Sequence, residues 1–240
     1  MRKYIRAVFL FFSPSVLIAL FYSLKQRKRI KHIHIGFSFV IVENLIVDEK
    51  CYIGNGNKIF LRNLVMRKNS SIKEKNLFKG TFDVVLHENS AINYHNKFYA
   101  DNSPYTNRIL ELGHNTIIGI QHSFDLTRSV TIGSNSIFAG SNSQVWTHSF
   151  YHAKEGEKRW RIDSDVHIGN NVYIGSMCVL CPGIHIYDSV HIGAAVCISK
   201  DITQSGLYVN QPIRFIELDP DEAVKKYKVV QEEPFNILEK

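Results

Sequence analysis

The sequence has little of what usually makes a protein class easy to read. Its 240 residues hold four cysteines and two tryptophans. The cysteines are Cys51, Cys178, Cys181 and Cys197, and Cys178 with Cys181 makes a lone C-x-x-C. A structural zinc site would need a second pair, so no metal is expected. Nothing in this cysteine complement demands an oxidising compartment; the thiols read as small apolar groups packed in or against a core. No nucleic-acid-binding motif accompanies the net charge of +7, so no nucleic-acid partner is expected. The surplus of basic residues points instead to a membrane surface or a phosphate-bearing ligand. No apolar run is long enough for a confident membrane span. The longest, Ala7 to Tyr22, falls short of the roughly 20 residues such a helix needs, and Ser13-Pro14-Ser15 interrupts it. No small-residue cleavage site follows it, which argues against a secretory signal.

What is present at this end is an apolar segment framed by positive charge. Arg2, Lys3 and Arg6 precede or enter it, and Lys25, Arg27, Lys28, Arg29 and Lys31 follow. Residues 1–31 are therefore expected to form a helix or helical hairpin. It either lies in a membrane interface, with basic residues toward anionic lipid, or packs on the protein itself.

The strongest pattern runs from Val166 to Ile202. In steps of six, Ile168, Ile174, Leu180, Ile186, Ile192 and Ile198 are all aliphatic. A second row, Val172, Cys178, Ile184, Val190, Val196 and Ile202, is locked to the first. Neither a helical period nor simple alternation produces two rows at six. Each hexad supplies a short strand and a turn, and stacked hexads build a parallel β-helix whose rows become interior ladders. The same step recurs at Ile35, Ile41, Val47, Ile53, Ile59 and Val65, so the coil is expected to begin near His34. Leu86, Ile92 and Phe98, then Leu112, Ile118 and Phe124, then Ile132 and Phe138 continue it. Residues 66–82, 99–110 and 149–165 lose the period and are expected to project as loops. A C-terminal tail, residues 217–240, carries Asp219, Pro220 and Glu222 in a capping-box arrangement, which predicts a short helix.

The stretch "IGNNVYIGSMCVLCPGIHIYDSVHIGAAVCISKDI" resembles the last coils of the hexapeptide-repeat acyltransferases. The group most similar is the sugar O-acetyltransferases related to galactoside, maltose and nodulation acetyltransferases. The resemblance covers about Leu112 to Ile216. It implies an all-β, left-handed parallel β-helix over residues 32–216, and a homotrimer with its site in the cleft between neighbouring coils. It also implies acetyl-CoA as co-substrate and a saccharide acceptor.

Residue by residue, His148 in "VWTHSFYH" stands where the family has a histidine just before a projecting loop, and is the expected general base. Imidazole suits the task because its ordinary pKa lies near neutrality. His152 could orient the acceptor, and Trp146 and Trp160 could offer a sugar platform. The family's oxyanion asparagine is missing from "QHSFDL", Gln121 to Leu126, so His122 or Ser123 is the candidate donor. For CoA, the matching positions are Tyr173, Gly175, Ser176, Gly193, Ala194, Ser199, Lys200 and Arg214. The resulting expectation is O-acetylation of a sugar hydroxyl on a cell-surface polysaccharide or its lipid-linked precursor. The expected location is cytoplasmic, peripheral on the inner face of the membrane. N-acylation of an amino sugar and a non-catalytic membrane-docked scaffold remain open. So does a zinc enzyme like the γ-carbonic anhydrases, although no two histidines lie five apart as in their His-x4-His pair.

Overall fold

The computed structural model describes residues 2–27, 30–101, 103–210, 225, 228–231 and 237–239. The chain divides into two units, Met1–Asn210 and Gln211–Lys240. The first is two helices followed by a parallel β-solenoid of about nine turns, consistent with a left-handed parallel β-helix.

Three walls stack rung upon rung. The first wall is nine strands from His34–Ile35 to Gly206–Tyr208. The second runs through Leu77–Lys79, Lys97–Tyr99, Ser123–Asp125, Gln144–Val145, Val179–Leu180 and Cys197–Ile198. The third runs through Asp83–Leu86, Ile109–Leu112, Val130–Ile132, Val166–Ile168 and His185–Ile186. Interior ladders follow directly from the register: Ile53 on Ile72 on Ile92 on the first wall, Phe78 on Phe98 on Phe124 on the second. All of these side chains are buried. The phenylalanine rings stack with centroids 4.5 Å and 5.1 Å apart.

The row from Ile168 to Ile198 is buried throughout; of the second row, only Val196 is partly exposed, near the end of the stack. Nearer the N-terminus the six-frame slips. Strands Phe39–Val47 and Lys58–Met66 each run across two walls without a break. Their burial alternates, then skips one residue at Glu43–Asn44 and Arg62–Asn63. Val40, Val42, Leu64 and Met66 point inward, and Ile41 and Val65 do not. Residues 66–82 are accordingly not a projecting loop. From Met66 the step of six resumes through Ile72, Phe78 and Val84, all buried, and Ser71–Ile72 and Leu77–Lys79 pair with both neighbouring rungs.

A corner ladder of polar side chains fastens successive rungs. Ser38 Oγ accepts the Asn57 N–H, and Asn57 Oδ1 accepts the Asn76 N–H. Asn76 Oδ1 accepts the Asn96 N–H, and Asn96 Oδ1 accepts the His122 N–H. His122 Nδ1 accepts the Ser143 N–H at 3.1 Å, and Ser143 Oγ accepts the Cys178 N–H at 3.1 Å. Every one of these residues is buried, so each bond satisfies a backbone donor that water cannot reach. Glycine is required where coils approach most closely: a Cβ on Gly133 would sit 2.6 Å from the Gly169 backbone.

Two insertions leave the stack at one corner, between the second and third walls. Residues 100–101 and 103–108 do so after Lys97–Tyr99, and an antiparallel hairpin, His148–His152 with Arg159–Asp163, does so after Gln144–Val145. The rung between them, Ser123–Asp125, turns the corner directly.

The N-terminal helices are α1, Arg2–Phe12, and α2, Ser15–Gln26, with Pro14 at the junction. They form a hairpin, Phe9 against Phe21, that buries Leu10, Ile18 and Tyr22 in the same core as the coil. Arg6 donates to the carbonyls of Val42 and Glu43, and Gln26 Nε2 to the carbonyl of Val47 at 3.0 Å. These carbonyls belong to the first long strand, which pairs with Lys58–Met66 and has no earlier strand on its other side among the described residues. The opposite face of the hairpin leaves Ile5, Val8, Phe12, Val16, Leu17 and Leu24 exposed. No helix among the described residues is long and apolar enough to cross a membrane.

In the second unit, Lys228–Gln231 pairs antiparallel with Ile237–Glu239. The helix expected from the capping box therefore does not extend through Lys228–Gln231, where β-branched Val229 and Val230 favour a strand. Asp219, Pro220 and Glu222 lie outside the described residues.

Candidate active site

His148 is the first residue of the projecting hairpin, immediately past the second wall. Its Nδ1 lies 2.8 Å from Asp125 Oδ2. Asp125 sits one rung earlier, held by the pairing of Ser123 with Gln144 and Phe124 with Val145. Its carboxylate is deeply buried and heavily hydrogen-bonded. Oδ1 accepts from the Thr127 N–H at 3.1 Å and the Thr127 hydroxyl at 2.7 Å. Oδ2 accepts from the Thr147 N–H at 2.9 Å and the Thr147 hydroxyl at 2.6 Å. Burial alone would raise the carboxyl pKa; hydrogen bonds from Thr147, Thr127 and His148 outweigh it and hold the group below its usual range. An ionised Asp125 can only accept, so His148 Nδ1 carries a proton, and in the neutral ring Nε2 keeps its lone pair. No described side chain hydrogen-bonds Nε2. The ring is 21% exposed, open enough to meet a ligand and too enclosed to reorient freely.

The ring faces a cavity of about 510 Å³. Tyr99, Ser123, Gln144 and Trp146 form its back along the second wall, Lys79 one flank, and Ala100 and Asp101 the lip from the upper insertion. Trp146 meets the His148 ring edge-on with centroids 6.0 Å apart, and its indole N–H donates to Gln144 Oε1. Arg161, on the returning hairpin strand, bridges to Asp101 at 3.2 Å and so ties the two insertions together.

The structure brings only part of the expected constellation together. His148, Ser123 and Trp146 share the cavity. His122 does not: it is a rung of the corner ladder, wholly buried, its Nδ1 taken by the Ser143 N–H. Burial pushes its pKa down to about 4, although the carbonyls of Phe138 and Gly140 draw it back. Neither carbonyl meets Nε2 in hydrogen-bond geometry. His152 is exposed four residues along the hairpin from His148, roughly 13 Å away in an extended strand. Trp160 is exposed opposite Tyr151 with Lys158 over its ring, and does not line the cavity.

The CoA candidates fall into two groups. Tyr173, Gly175, Ser176, Gly193 and Ala194 lie on the first wall and the turn that follows it. Ser199 and Lys200 lie past the last strand of the second wall, both exposed. From Ala194 to Ser199 is five residues, at most about 17 Å of chain, so the groups occupy opposite edges of one wall. Arg214 is outside the described residues. Among the described residues no group of three His, Cys, Asp or Glu could hold a metal ion.

Asp125 is the site residue the sequence reading passed over. It stands in the very stretch, "QHSFDL", searched for an asparagine, one rung before Trp146 and His148. Its signal was available: an acid directly after an inward-facing Phe124 must sit at the wall's edge. Lys79 and Tyr99 fall in residues 66–82 and 99–110, where the lost period predicts loops and so offers no wall residue.

No protein-family model matches the chain. Galactoside O-acetyltransferase of Escherichia coli (strain K12) is 36% identical over 108 residues, 42% of this chain and 52% of that protein. The chain fits the hexapeptide-repeat acyltransferases. It spans about half the length of this curated relative. Two solved acyltransferase structures are similar at lower identity. The polySia-specific acetyltransferase NeuO is 16% identical with a TM-score of 0.46, covering 81% of this chain and 93% of its own. A mutant of AntD, an N-acyltransferase from Bacillus cereus in complex with dTDP and coenzyme A, is 14% identical with a TM-score of 0.37. That likeness covers 90% of this chain and 93% of its own.

Proposed function

We propose that the chain is an acetyl-CoA-dependent O-acetyltransferase acting on a sugar hydroxyl of a cell-surface polysaccharide or its lipid-linked precursor. The observation that carries this reading is the Asp125–His148 pair opening onto a cavity with Trp146 and Ser123 at its back. Asp125 fixes the tautomer, and Nε2 accepts the proton of the acceptor hydroxyl. The acceptor oxygen attacks the thioester carbonyl and a C–O bond forms. The Ser123 hydroxyl, which lines the same cavity, donates to the resulting oxyanion. The C–S bond then breaks, and the imidazolium returns its proton to the CoA thiolate. Trp146 and Tyr99 offer apolar faces for a sugar ring.

The two groups of CoA candidates, on opposite edges of the second wall, fit a cleft between protomers: one chain offers Tyr173, Ser176 and Ala194, its neighbour Ser199 and Lys200. The assembly in this reading is a homotrimer, as the resemblance implies. Acetyl-CoA at a hundredfold over its Kd should stabilise the protein by about 2.7 kcal/mol, read as a raised Tm. The surface glycan of cells lacking the protein should lose an acetyl increment by mass spectrometry. An unmoved Tm and an unchanged glycan mean a scaffold, not an enzyme.

The exposed apolar face of the α1–α2 hairpin, flanked by Arg2, Lys3, Lys25, Arg27 and Lys31, is read as a peripheral membrane contact. Val8→Asp and Leu17→Asp, both on the outward face, should release the protein from anionic vesicles in flotation while leaving its Tm unchanged. Vesicle binding that survives both substitutions removes this contact from the proposal.

A further inference from the structure

The second wall carries more than the cavity. One outward column reads Lys58, Leu77, Lys97, Ser123, Gln144 on successive rungs. The next reads Phe60, Lys79, Tyr99, Asp125. A second cavity of about 410 Å³, bordered by Lys75, His95 and Lys97, shares Ser123 with the first. Lys58, Lys75, Lys79 and Lys97 have no carboxylate within ion-pair distance among the described residues. Arg62, Arg128 and Arg161 on the neighbouring corner each have one. Two acids that line the first cavity are already occupied: Asp125 by five hydrogen bonds, Asp101 by Arg161.

Lysine often protects the edge strand of a sheet from pairing. Here Lys58, Lys79 and Lys97 stand on interior strands with a partner on either side, so edge protection does not account for them. Phe60 and Tyr99 lie between them, both more than a third exposed. Unpaired ammonium groups alternating with open aromatic faces suit a chain of rings bearing acid groups. At about 4.8 Å per rung the strip extends roughly 19 Å from Gln144 to Lys58. It leads toward α1, since Phe60 borders a cleft with Lys3 and Tyr4.

We propose that this wall binds an anionic saccharide, its acid groups on Lys58, Lys97 and Lys79 and the acceptor ring at His148. The inference rests on the acetyltransferase reading for the role of the bound ring, and its test is independent of turnover. The acid group is a carboxylate of the glycan or a phosphate joining the glycan to a lipid carrier; both present the same charge to the lysines.

The test uses the full-length protein, the double variant Lys58→Glu/Lys97→Glu, and calorimetry with three probes: oligogalacturonate, maltohexaose, and vesicles bearing a neutral oligosaccharide on polyprenyl diphosphate. Binding of at least one anionic probe is expected. It should weaken about tenfold in the double variant, a coupling of roughly 1.4 kcal/mol, and weaken again with added salt. Maltohexaose should bind weakly and alike in both proteins. Tight oligogalacturonate binding assigns the charge to the glycan; vesicle binding that requires the polyprenyl diphosphate and weakens in the double variant, with no oligogalacturonate binding, assigns it to the carrier. If neither anionic probe binds more tightly than maltohexaose, or the double variant binds both as wild type does with an unchanged Tm, the proposal is overturned. His148→Ala that binds the anionic probe yet transfers no acetyl group keeps both readings. Binding by the wild-type protein without any transfer sinks the enzyme reading alone.

Discussion

Replacing His148 with alanine is expected to lower kcat for acetyl transfer by about 10² to 10⁴-fold, with acetyl-CoA binding retained. The imidazole is the group in the cavity with a free nitrogen lone pair and a fixed orientation, so its loss removes proton transfer and leaves the pocket intact. Asp125→Asn tests the other half of the pair. An amide nitrogen facing Nδ1 would favour the tautomer with its proton on Nε2, so the variant should lose rate with little change in KM for acetyl-CoA. It should also lose stability, because the carboxylate accepts five hydrogen bonds in a buried setting. Single-turnover measurements separate the chemical step from binding. A His148→Ala protein that turns over at the wild-type rate moves the base elsewhere, with His152 next along the strand.

The second large effect is on stability. His122 is a ladder rung whose folded pKa is pushed down to about 4 by burial, from an ordinary value near 6.5. Between those two pH values the unfolded chain binds a proton that the folded chain refuses, so acid favours unfolding. The stabilising contribution is complete above about pH 6.5 and is lost as pH falls toward 4, an effect on the order of 3 kcal/mol. Urea unfolding at stepped pH should reveal this slope. His122→Asn supplies the check, because Asn57, Asn76 and Asn96 do the same job on earlier rungs. That variant should keep the fold and flatten the slope between pH 4 and 6.5. It would leave the lower acid limb, where Asp125 and other carboxylates with depressed pKa values protonate. An unchanged slope in His122→Asn assigns the pH dependence to other groups.

The coil from Ile168 to Ile198 was legible because each rung there has the same length, so a fixed step stays in phase. Upstream, one extra residue in each of two long strands moved the frame by one. Reading onward from Val65 rather than Met66 turned a continuous wall into an apparent loop. The site was half legible for a related reason. Periodicity separates inside from outside; His148 came from the resemblance to the acyltransferases, in the stretch where the period is interrupted. Periodicity does not identify which residues become neighbours across rungs. Asp125 reaches His148 only because Phe124 registers with Val145 across a 21-residue coil. His122 was misjudged because a buried histidine and a catalytic one look alike in sequence; the difference is the Ser143 N–H that occupies its nitrogen.

The helical hairpin touches the coil in a way that bears on how the stack is kept from growing along its axis. Arg6 and Gln26 occupy carbonyls along the free side of the first long strand. Without those two donors, that side is a row of vacant acceptors above an apolar floor of Val40 and Val42, a template on which the last rung of another molecule could continue the stack. Losing the hairpin would thus convert a bounded column into one able to lengthen end to end, and the first sign would be filaments rather than unfolding.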